Sequence, residues 1–329
     1  MSAAGSDPDG RILDRLRSAT APVSGEELAT MLRSSRAAVW KRIAALRAAG
    51  YRIEARHAAG YVLAGTPDRV GPSELAPHLR GGWRDVRWLA RVDSTQRVAR
   101  DLARSGAAEG TAVVAEEQTA GRGRLGRAWH SPAGENLYCS VVLRPPRAPA
   151  EVPQVALVAG IAVAAAVEEA AGRRPAIKWP NDVLLDGKKV AGILTEMESE
   201  MERVHHVIAG IGVNLNTRRF PRELRTKASS LLLLTGRSID RARFTAGLLA
   251  ALEARYGRYL SVGFASVRTE WESYSCLTGT EVRVQGPGGE VTGRVLGLDD
   301  DGALRLRGPD GGITRIVAGE VTVRGGYGV

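Results

Sequence analysis

The spacing of apolar residues in the first fifty positions predicts three short helices. Apolar side chains recur on one helical face of residues 9–17. A Ser-x-x-Glu capping box at 24–27 begins a second helix over 25–32, and two serines at 34–35 separate it from a third helix. The second and third helices are therefore joined by only three or four residues, which is the spacing of a helix-turn-helix.

Two short strands, 51–56 and 60–63, follow the third helix and predict a wing. Further along, strand and helix patterns alternate, and near the end short strands are separated by Gly and Asp turns. A stretch rich in glycine and proline, typical of a linker, separates the wing from the rest. The pattern predicts an α+β chain with a winged helix-turn-helix at 1–65, a linker at 66–84, a central domain at 85–270 and a small C-terminal β domain at 271–329.

Composition is that of an ordinary soluble globular protein with a basic balance. Hydrophobic residues make up 44% and charged residues 25% of the chain, and the net charge of +10 favours an anionic partner such as a nucleic acid or a nucleotide. The two cysteines lie far apart, and no His or Cys has the spacing of a zinc site. We therefore expect no disulfide framework, no metal-ligand cluster and a reducing cytoplasm.

The longest apolar run, 155–167, is followed directly by two glutamates and is too short to span a bilayer. It predicts a buried, alanine-rich helix. Residues 1–10 are polar and lack the apolar segment of a signal peptide. These features predict a cytoplasmic protein without membrane attachment.

The predicted third helix carries the positive charge that a DNA-recognition helix needs. Between Arg33 and Arg56 there are seven basic residues and one acid. Residues near the start of such a helix reach base edges and phosphates. The predicted DNA contacts are Ser34, Ser35, Arg36, Lys41 and Arg42. Trp40 is expected to pack internally. The alternative is a winged helix for protein contacts, with its arginines solvated.

The most informative segment is a loop of alternating glycines and arginines at 121–127, bracketed by strands at 111–115 and 136–143. Glycines let backbone N–H groups approach an anion, and guanidinium forks match phosphate or carboxylate. Trp129 adds a flat face for a base. The loop lacks the Gly-Lys-Ser/Thr of a Walker loop, and no helix opens here as a dinucleotide site requires. An RGG-type RNA-binding tract and a flexible basic loop are the alternatives.

In its residues this loop resembles the signature of biotin–protein ligases, including those that also repress biotin operons. The matching pattern is Gln118-x-x-Gly121-Arg122-Gly123-Arg124-x-Gly126-Arg127-x-Trp129. Further matching blocks occur in the same order, namely Asp93-Ser94-Thr95, Lys178-Trp179-Pro180-Asn181-Asp182 with 187–194, 210–216 and Asp300-x-Gly302-Ala303-Leu304. The resemblance extends from the winged helix to the end of the chain.

The resemblance implies a class II synthetase-like catalytic domain with a mixed sheet and a small SH3-like C-terminal barrel. It implies a two-step reaction in which biotin and ATP, with Mg²⁺, form biotinyl-5'-AMP, and biotin then passes to a lysine of a biotin carboxyl carrier protein. Such a site supplies positive charge and alignment instead of a nucleophile. The family also implies operator DNA as a partner and a homodimer in the adenylate-bound state.

Residue roles follow from the resemblance. The implied catalytic residues are Arg122, Lys189 and Asp182, with Asp182 either orienting the incoming amine or helping to hold Mg²⁺. The implied biotin-binding residues are Ser94, Thr95, Gln118, Gly121, Arg122, Arg124, Lys189, Gly192 and Leu194. The implied ATP-binding residues are Arg122, Arg124, Trp129, Asn181, Lys189 and Asn214. Loops at 121–134 and 218–227 are candidates for closing over the adenylate.

Simpler interpretations accompany several of these roles. The dipeptide at 186–187 predicts a tight hairpin whose alternation places Lys189 and Gly192 on opposite faces, and Lys188 in solvent. The Asn-Asp pair at 181–182 suits a plain turn, and Ser94 suits a helix N-cap. Gln96 replaces an expected Asn and Leu125 an expected polar residue, and we expect neither to touch a proposed chemical group.

Three other functions remain open at this point. One is a lipoate ligase or octanoyltransferase of the same fold, although these lack this loop. A second is a DNA-binding regulator whose ligase-like domain only senses a small molecule. A third is a ligase with a vestigial winged helix.

Overall fold

The computed structural model describes residues 8–323, so the first seven and last six positions of the domains predicted above lie outside the described residues. The chain divides after Arg69 into two compact units, Met1–Arg69 and Val70–Val329. Each unit has its own hydrophobic core.

The first unit is a winged helix-turn-helix. Its elements are α1 (Pro8–Ser18), α2 (Gly25–Leu32), α3 (Arg36–Ala48) and the antiparallel hairpin β1 (Arg52–Arg56) with β2 (Gly60–Gly65). The Ser24 hydroxyl caps α2 by accepting from the Glu27 N–H at 3.0 Å. The Glu27 carboxylate accepts from Arg15 Nε at 2.6 Å, so the predicted capping box contributes its serine half and the glutamate ties α2 to α1.

The second unit is built on a seven-stranded mixed sheet with strand order β3-β4-β5-β9-β8-β7-β6. Its strands are β3 (Val86–Leu89), β4 (Ala112–Ala115), β5 (Leu137–Leu143), β6 (Ala176–Lys178), β7 (Asp182–Leu185), β8 (Lys188–Ser199) and β9 (Val204–Val213). Its helices are α4 (Pro72–Leu75), α5 (Thr95–Arg104), α6 (Pro153–Ala171), α7 (Leu231–Thr235), α8 (Arg241–Val262) and α9 (Ala265–Tyr274). Helix α5 packs on one face of the sheet, whereas α6 packs on the other with α8 and α9 against it.

Within residues 8–323, one helical stretch, Pro149–Ala171, is long and apolar enough to cross a membrane. Most of that stretch is buried in the core of the second unit. The buried alanine-rich helix expected at 155–167 is therefore confirmed. The buried side chains of α6 are mostly alanine and valine, in keeping with a chain in which only 5% of the residues are aromatic.

Part of the segment predicted as a linker belongs to the core. The side chains of Val70 and Leu75 are fully buried, and Leu75 is the last residue of α4. The glycines and prolines of 66–84 therefore mark turns around buried anchors as well as a connection. Where domains begin and end within this unit stays a prediction.

The end of the chain forms a five-stranded antiparallel sheet with strand order β13-β12-β11-β10-β14. Its strands are β10 (Glu281–Gly286), β11 (Gly289–Leu298), β12 (Leu304–Arg307), β13 (Ile313–Ile316) and β14 (Glu320–Val323). The expected α+β organisation, with a winged helix, a central mixed sheet and a small antiparallel β domain, is confirmed.

Both cysteines are free thiols in this fold. Cys139 lies in the middle of β5 with 1% of its surface exposed, and burial raises the pKa of its thiol to about 12. Because the thiolate is the reactive form, we expect a Cys276→Ser variant to resist an aromatic disulfide reagent at pH 8 and to react fully in guanidinium chloride. Absorbance of the released thiolate measures this, and rapid labelling of the native variant would contradict it.

Candidate active site

A cavity of about 700 Å³ opens over β5, β8 and β9 at the N-terminal end of α5. The arginine–glycine loop, the segment at 220–228 and strand β14 complete its walls. The cavity brings together all the residues predicted for catalysis and for biotin and ATP binding except Gly121, namely Ser94, Thr95, Gln118, Arg122, Arg124, Trp129, Asn181, Asp182, Lys189, Gly192, Leu194 and Asn214. Gly121 lies just behind the wall, where a β-carbon would come within 2.7 Å of the Trp129 carbonyl oxygen.

One end of the cavity is lined by buried hydroxyl and amide groups. Thr95 donates its N–H to Gln118 Oε1 at 2.9 Å, and its hydroxyl lies 3.1 Å from the same oxygen and 2.9 Å from Ser140 Oγ. Ser94 begins α5, but its hydroxyl makes no capping bond. The Ser94 hydroxyl therefore remains available to a ligand, although it stands at an N-cap position.

Gln96 belongs to this polar end, and the expectation that it touches no proposed group is wrong. The Gln96 side-chain amide donates to the carbonyl oxygens of Leu194 (3.3 Å) and Ile208 (3.1 Å). It lies across Gly210, where a β-carbon would come within 2.2 Å of Gln96 Oε1. Sequence reasoning missed this contact because Gly210 is more than a hundred residues away along the chain.

The arginine–glycine loop is an ordered hairpin. Gly123 N–H donates to the Arg127 carbonyl at 2.7 Å, and Trp129 N–H donates to the Gly121 carbonyl at 2.9 Å. A 3₁₀ turn spans Arg124–Gly126, with Leu125 in the left-handed region at φ 54°. The expected loop is thus confirmed, and its internal hydrogen bonds argue against a freely flexible basic tract.

Each arginine of the loop has its own acceptor. Arg122 pairs with Glu196 at 3.0 Å, and Arg127 pairs with Glu320 at 2.6 Å. Arg124 donates to Asn181 Oδ1 at 3.1 Å, and burial lowers the pKa of its guanidinium. Guanidinium groups of this kind remain charged at neutral pH. The loop therefore presents fixed positive charges to the cavity.

The indole of Trp129 lies over a pair of glycines, Gly192 on β8 and Gly212 on β9, which face each other in the sheet. A β-carbon at Gly212 would come within 2.5 Å of the indole, and one at Gly192 within 3.0 Å. Only glycine leaves room for the aromatic ring at these two positions. The flat face predicted for a base is thus held against the floor of the cavity.

Lys189 and Gly192 share a face, contrary to the alternation predicted for this hairpin. Asp186 and Gly187 form the expected tight turn, with φ values of 51° and 73°. The pairing of β7 with β8 then skips Val190, so a β-bulge shifts the side chains that follow. As a result, a β-carbon at Gly192 would lie 3.4 Å from Lys189 Nζ.

The ammonium group of Lys189 lies at the centre of the charged end. Its Nζ is 2.6 Å from Asp182 Oδ1 and 5.6 Å from the centre of the Trp129 ring. Its backbone is held by Lys227 and Ser229, because Lys189 N–H donates to the Lys227 carbonyl and the Lys189 carbonyl accepts from Ser229 N–H. Lys188, expected in solvent, is part-exposed and reaches the Thr226 carbonyl at 2.5 Å.

The two asparagines of the predicted nucleotide side support the site through backbone contacts. Asn181 donates to the Ile193 carbonyl at 2.9 Å while its Oδ1 accepts from Arg124. Asn214 is buried and donates to the Ser229 carbonyl at 3.2 Å. Their roles toward a nucleotide remain predictions.

Several lining residues had no assigned role in the sequence interpretation. They are Gln96, Ser140, Lys178 and, from the C-terminal sheet, Glu320, Val321 and Thr322. Burial lowers the pKa of Lys178. Its place at the start of the Lys-Trp-Pro-Asn-Asp block is the sequence signal that could have identified it as a site residue. The Gly302 carbonyl, in the turn between β11 and β12, also accepts a hydrogen bond from Trp179 Nε1. The C-terminal sheet therefore forms part of the cavity wall, a role that no residue pattern indicated.

In the first unit, Ser34, Arg36 and Lys41 are exposed, as a DNA-contacting surface requires. Ser35 caps α3 by accepting from Ala38 N–H at 3.2 Å, and Arg42 pairs with Asp9 at 2.8 Å. These two residues are therefore also engaged inside the unit.

Trp40 does not pack internally, contrary to expectation, since 61% of its surface is exposed. Val39, Ile43 and Leu46 form the buried face of α3. The helical period turns Trp40 about a quarter turn away from that buried face and into solvent.

Comparison with known proteins agrees with this architecture. Residues 88–214 match the family model for the biotin/lipoate A/B protein ligase family, residues 11–62 an HTH domain, and residues 278–324 the biotin protein ligase C terminal domain. A biotin protein ligase from Aquifex aeolicus in complex with biotin and ATP is similar in structure, with a TM-score of 0.64 and 35% identity over 73% of this chain and 99% of that one.

Two curated relatives resemble the chain over nearly its full length. The bifunctional ligase/repressor BirA of Bacillus subtilis (strain 168) is 42% identical over 91% of this chain and 93% of its own. The bifunctional ligase/repressor BirA of Escherichia coli (strain K12) is 33% identical over 92% of each. The resemblance seen in the sequence motifs is thereby confirmed, and the chain belongs to the family of bifunctional ligase/repressor BirA proteins.

Proposed function

We propose that this protein is an ATP-dependent biotin–protein ligase that forms biotinyl-5'-AMP and transfers biotin to a lysine of a biotin carboxyl carrier protein. The observation that carries the proposal is the cavity of about 700 Å³, which is lined both by buried hydrogen-bonding groups and by the cations of Arg122, Arg124 and Lys189. A cyclic urea with an anionic tail matches the hydrogen-bonding groups with its ring and the cations with its carboxylate.

In the first step a carboxylate oxygen of biotin attacks the α-phosphorus of ATP, the bond to the β-phosphate oxygen breaks, and pyrophosphate leaves. Both reactants are anionic, so positive charge is needed where they meet. Lys189, on the rigid hairpin of β7 and β8, supplies it at a position fixed by backbone bonds to Lys227 and Ser229. Arg122, from the arginine–glycine loop, lines the same cavity and adds a second cation.

In the second step the ε-amine of the carrier lysine attacks the carbonyl carbon of biotinyl-5'-AMP. An amide forms, AMP leaves with the bonding pair of the C–O bond, and the amine gives up a proton. The carboxylate of Asp182 is the acceptor closest to Lys189 and suits the task of orienting this amine.

In the absence of substrates, the cations of the site form ion pairs with acidic side chains of the protein. Lys189 pairs with Asp182, and Arg122 pairs with Glu196. When the biotin carboxylate and the phosphates enter, they replace these carboxylates as partners of the two cations.

We include Mg²⁺ in the proposal as an ion that arrives with ATP. Mg²⁺ in nucleotide sites is held mainly by substrate phosphates and one or two carboxylates. Asp182, Glu223 and Glu320 are carboxylates among the lining residues, which fits such an ion. When bound, it would neutralise phosphate charge; Asp182 is the residue we expect to hold it.

The test is direct. The protein is incubated with biotin, ATP, Mg²⁺ and a biotin carboxyl carrier domain, and the carrier mass is measured. We expect the mass increase of one biotinyl group on the carrier lysine. An increase with lipoate or octanoate but none with biotin would contradict the ligase proposal and favour the related acyltransferases.

The second activity in the proposal is DNA-binding repression of biotin synthesis genes by the winged helix. The exposed face of α3 carries Arg36, Trp40 and Lys41 without an acidic side chain among them. Such a face suits a major groove lined by phosphates.

We further propose that the adenylate-bound protein is a homodimer that fits a two-fold operator. Sedimentation with and without biotinyl-5'-AMP tests this point. We also propose that the protein acts in the cytoplasm without membrane attachment, which cell fractionation tests.

Lys41→Ala is expected to weaken binding to operator and non-operator DNA alike and to lower the salt slope of log K by about one, because one phosphate contact is lost. Fluorescence anisotropy at several salt concentrations measures this. Arg243→Ala, an exposed arginine of the second unit, is the matched control and should leave the slope unchanged. An unaltered slope for Lys41→Ala would remove Lys41 from the interface.

A further inference from the structure

The buried amide of Gln96 has a defined orientation. Its Nε2 lies 3.1 Å from the Ile208 carbonyl and 3.3 Å from the Leu194 carbonyl, and carbonyl oxygens can only accept. Gln96 Oε1 must therefore point the other way, toward Ser140 Oγ at 3.2 Å. Since Gln96 Oε1 can only accept, Ser140 is the donor in that bond.

The proton of Ser140 is thus committed to Gln96. Ser140 Oγ can then only accept from the Thr95 hydroxyl, 2.9 Å away. The Thr95 hydroxyl also lies within donating distance of Gln118 Oε1, at 3.1 Å, but its single proton goes to Ser140 Oγ, which is nearer and has no other donor among residues 8–323. Thr95 Oγ1 then keeps its lone pairs, and Gln118 Oε1 accepts from Thr95 N–H at 2.9 Å. Two acceptors, 3.1 Å apart, are left facing the cavity.

Without the Gln96 oxygen the protons would be arranged differently. Ser140 could donate to Thr95, and the Thr95 hydroxyl would turn to donate to Gln118 Oε1. Gln118 Oε1 would then accept two protein hydrogen bonds, and Thr95 Oγ1 would accept one. The polar end would lose capacity to accept a hydrogen bond from a ligand.

We propose that Gln96 is a positioning residue that, through Ser140, keeps Thr95 and Gln118 as acceptors and so selects a ligand ring with N–H donors, a cyclic urea. This relay from Gln96 through Ser140 to Thr95 rests on the proposed function. Gly210 makes it sterically feasible, because any β-carbon there would collide with Gln96 Oε1. All three members of the relay are at most 4% exposed, so water does not compete for these bonds.

The experiment compares biotin with its two isosteric cyclic carbamates, in which one ring N–H is replaced by oxygen. Calorimetric titration gives the Kd of each ligand without ATP. The wild-type protein is expected to prefer biotin by about 10- to 100-fold over at least one carbamate, because an acceptor is left unpaired. Gln96→Met keeps the volume but removes the oxygen, and should reduce that preference by about 5- to 10-fold.

Two further variants separate the relay from a general loss of structure. Gln154→Met makes the same change at another glutamine that is 4% exposed and bonded to a carbonyl, that of Asp301, outside the cavity. It should leave the preference unchanged even if the melting temperature falls. In a Ser140→Ala background, Gln96→Met should have no additional effect on the preference, because the path to Thr95 is already interrupted.

The outcomes distinguish the two proposals. An equal loss of affinity for biotin and for the carbamates in Gln96→Met would overturn the relay while leaving the ligase intact. Unchanged affinities in that variant would do the same. If the wild-type protein failed to bind biotin at all, both the proposed function and the relay would be overturned.

Discussion

Lys189→Ala is expected to slow biotinyl-5'-AMP formation by about 10²–10³-fold while the protein remains folded, because the charge that meets the developing negative charge is removed. Pyrophosphate exchange measures the first step by itself, and circular dichroism checks the fold. Lys188→Ala is the matched control, since the neighbouring lysine reaches only the Thr226 carbonyl at the edge of the hairpin. Equal rates for the two variants would refute the role assigned to Lys189.

A double variant excludes an indirect explanation of that loss. Lys189→Ala leaves the carboxylate of Asp182 without its partner at 2.6 Å, and the unpaired charge could itself impair the site. Adding Asp182→Asn removes that charge. If Lys189 acts on the substrates, adenylate formation stays slow in the double variant; recovery would show that only the unpaired carboxylate mattered.

Arg241→Met is expected to destabilise the second unit by about 3–5 kcal/mol, because it leaves a buried carboxylate unpaired. Arg241 is fully buried, and its Nη1 lies 2.8 Å from Glu116 Oε2. The other oxygen of Glu116 accepts from Val70 N–H at 2.9 Å and from Trp88 Nε1 at 3.3 Å. A loss of that size lowers the melting temperature of a unit of this length by roughly 10 °C.

Scanning calorimetry of the full-length protein measures this effect. Arg243→Met, two residues along the same helix and exposed, should change the melting temperature by less than about 1 °C. Glu116→Gln combined with Arg241→Met should recover part of the loss, because the charge is gone. A single variant as stable as the control would show that Glu116 does not depend on Arg241.

Local chemistry was enough to predict much of the fold. The N-cap of α2, the tight turn at 186–187 and the buried helix α6 each depend on residues close together in sequence. The motif blocks predicted the site well, because twelve of the thirteen residues proposed for catalysis and for biotin and ATP binding line one cavity. Local patterns of this kind survive into the folded state because tertiary packing agrees with them.

The features that escaped prediction depend on partners distant in sequence. The bulge at Val190 is set by how β8 registers on β7, and no alternation within β8 alone reveals it. Gln96 reaches the polar end of the cavity because Gly210 leaves room for its side chain. Glu320 lies at the cavity wall, where it pairs with Arg127. Trp40 was misplaced for another reason: an aromatic residue suggests burial, whereas the helical period here points outward.

The buried anchors in the segment between the two units determine where the chain can be cut. A fragment beginning at residue 85 would keep every residue of the cavity but lose Val70 and Leu75 from the core. It would also lose the backbone N–H that Val70 gives to Glu116, two residues before Gln118 in the polar end of the cavity. An isolated catalytic fragment should therefore start upstream of Val70, so that separating the enzyme from its DNA-binding unit does not also loosen the pocket that recognises biotin.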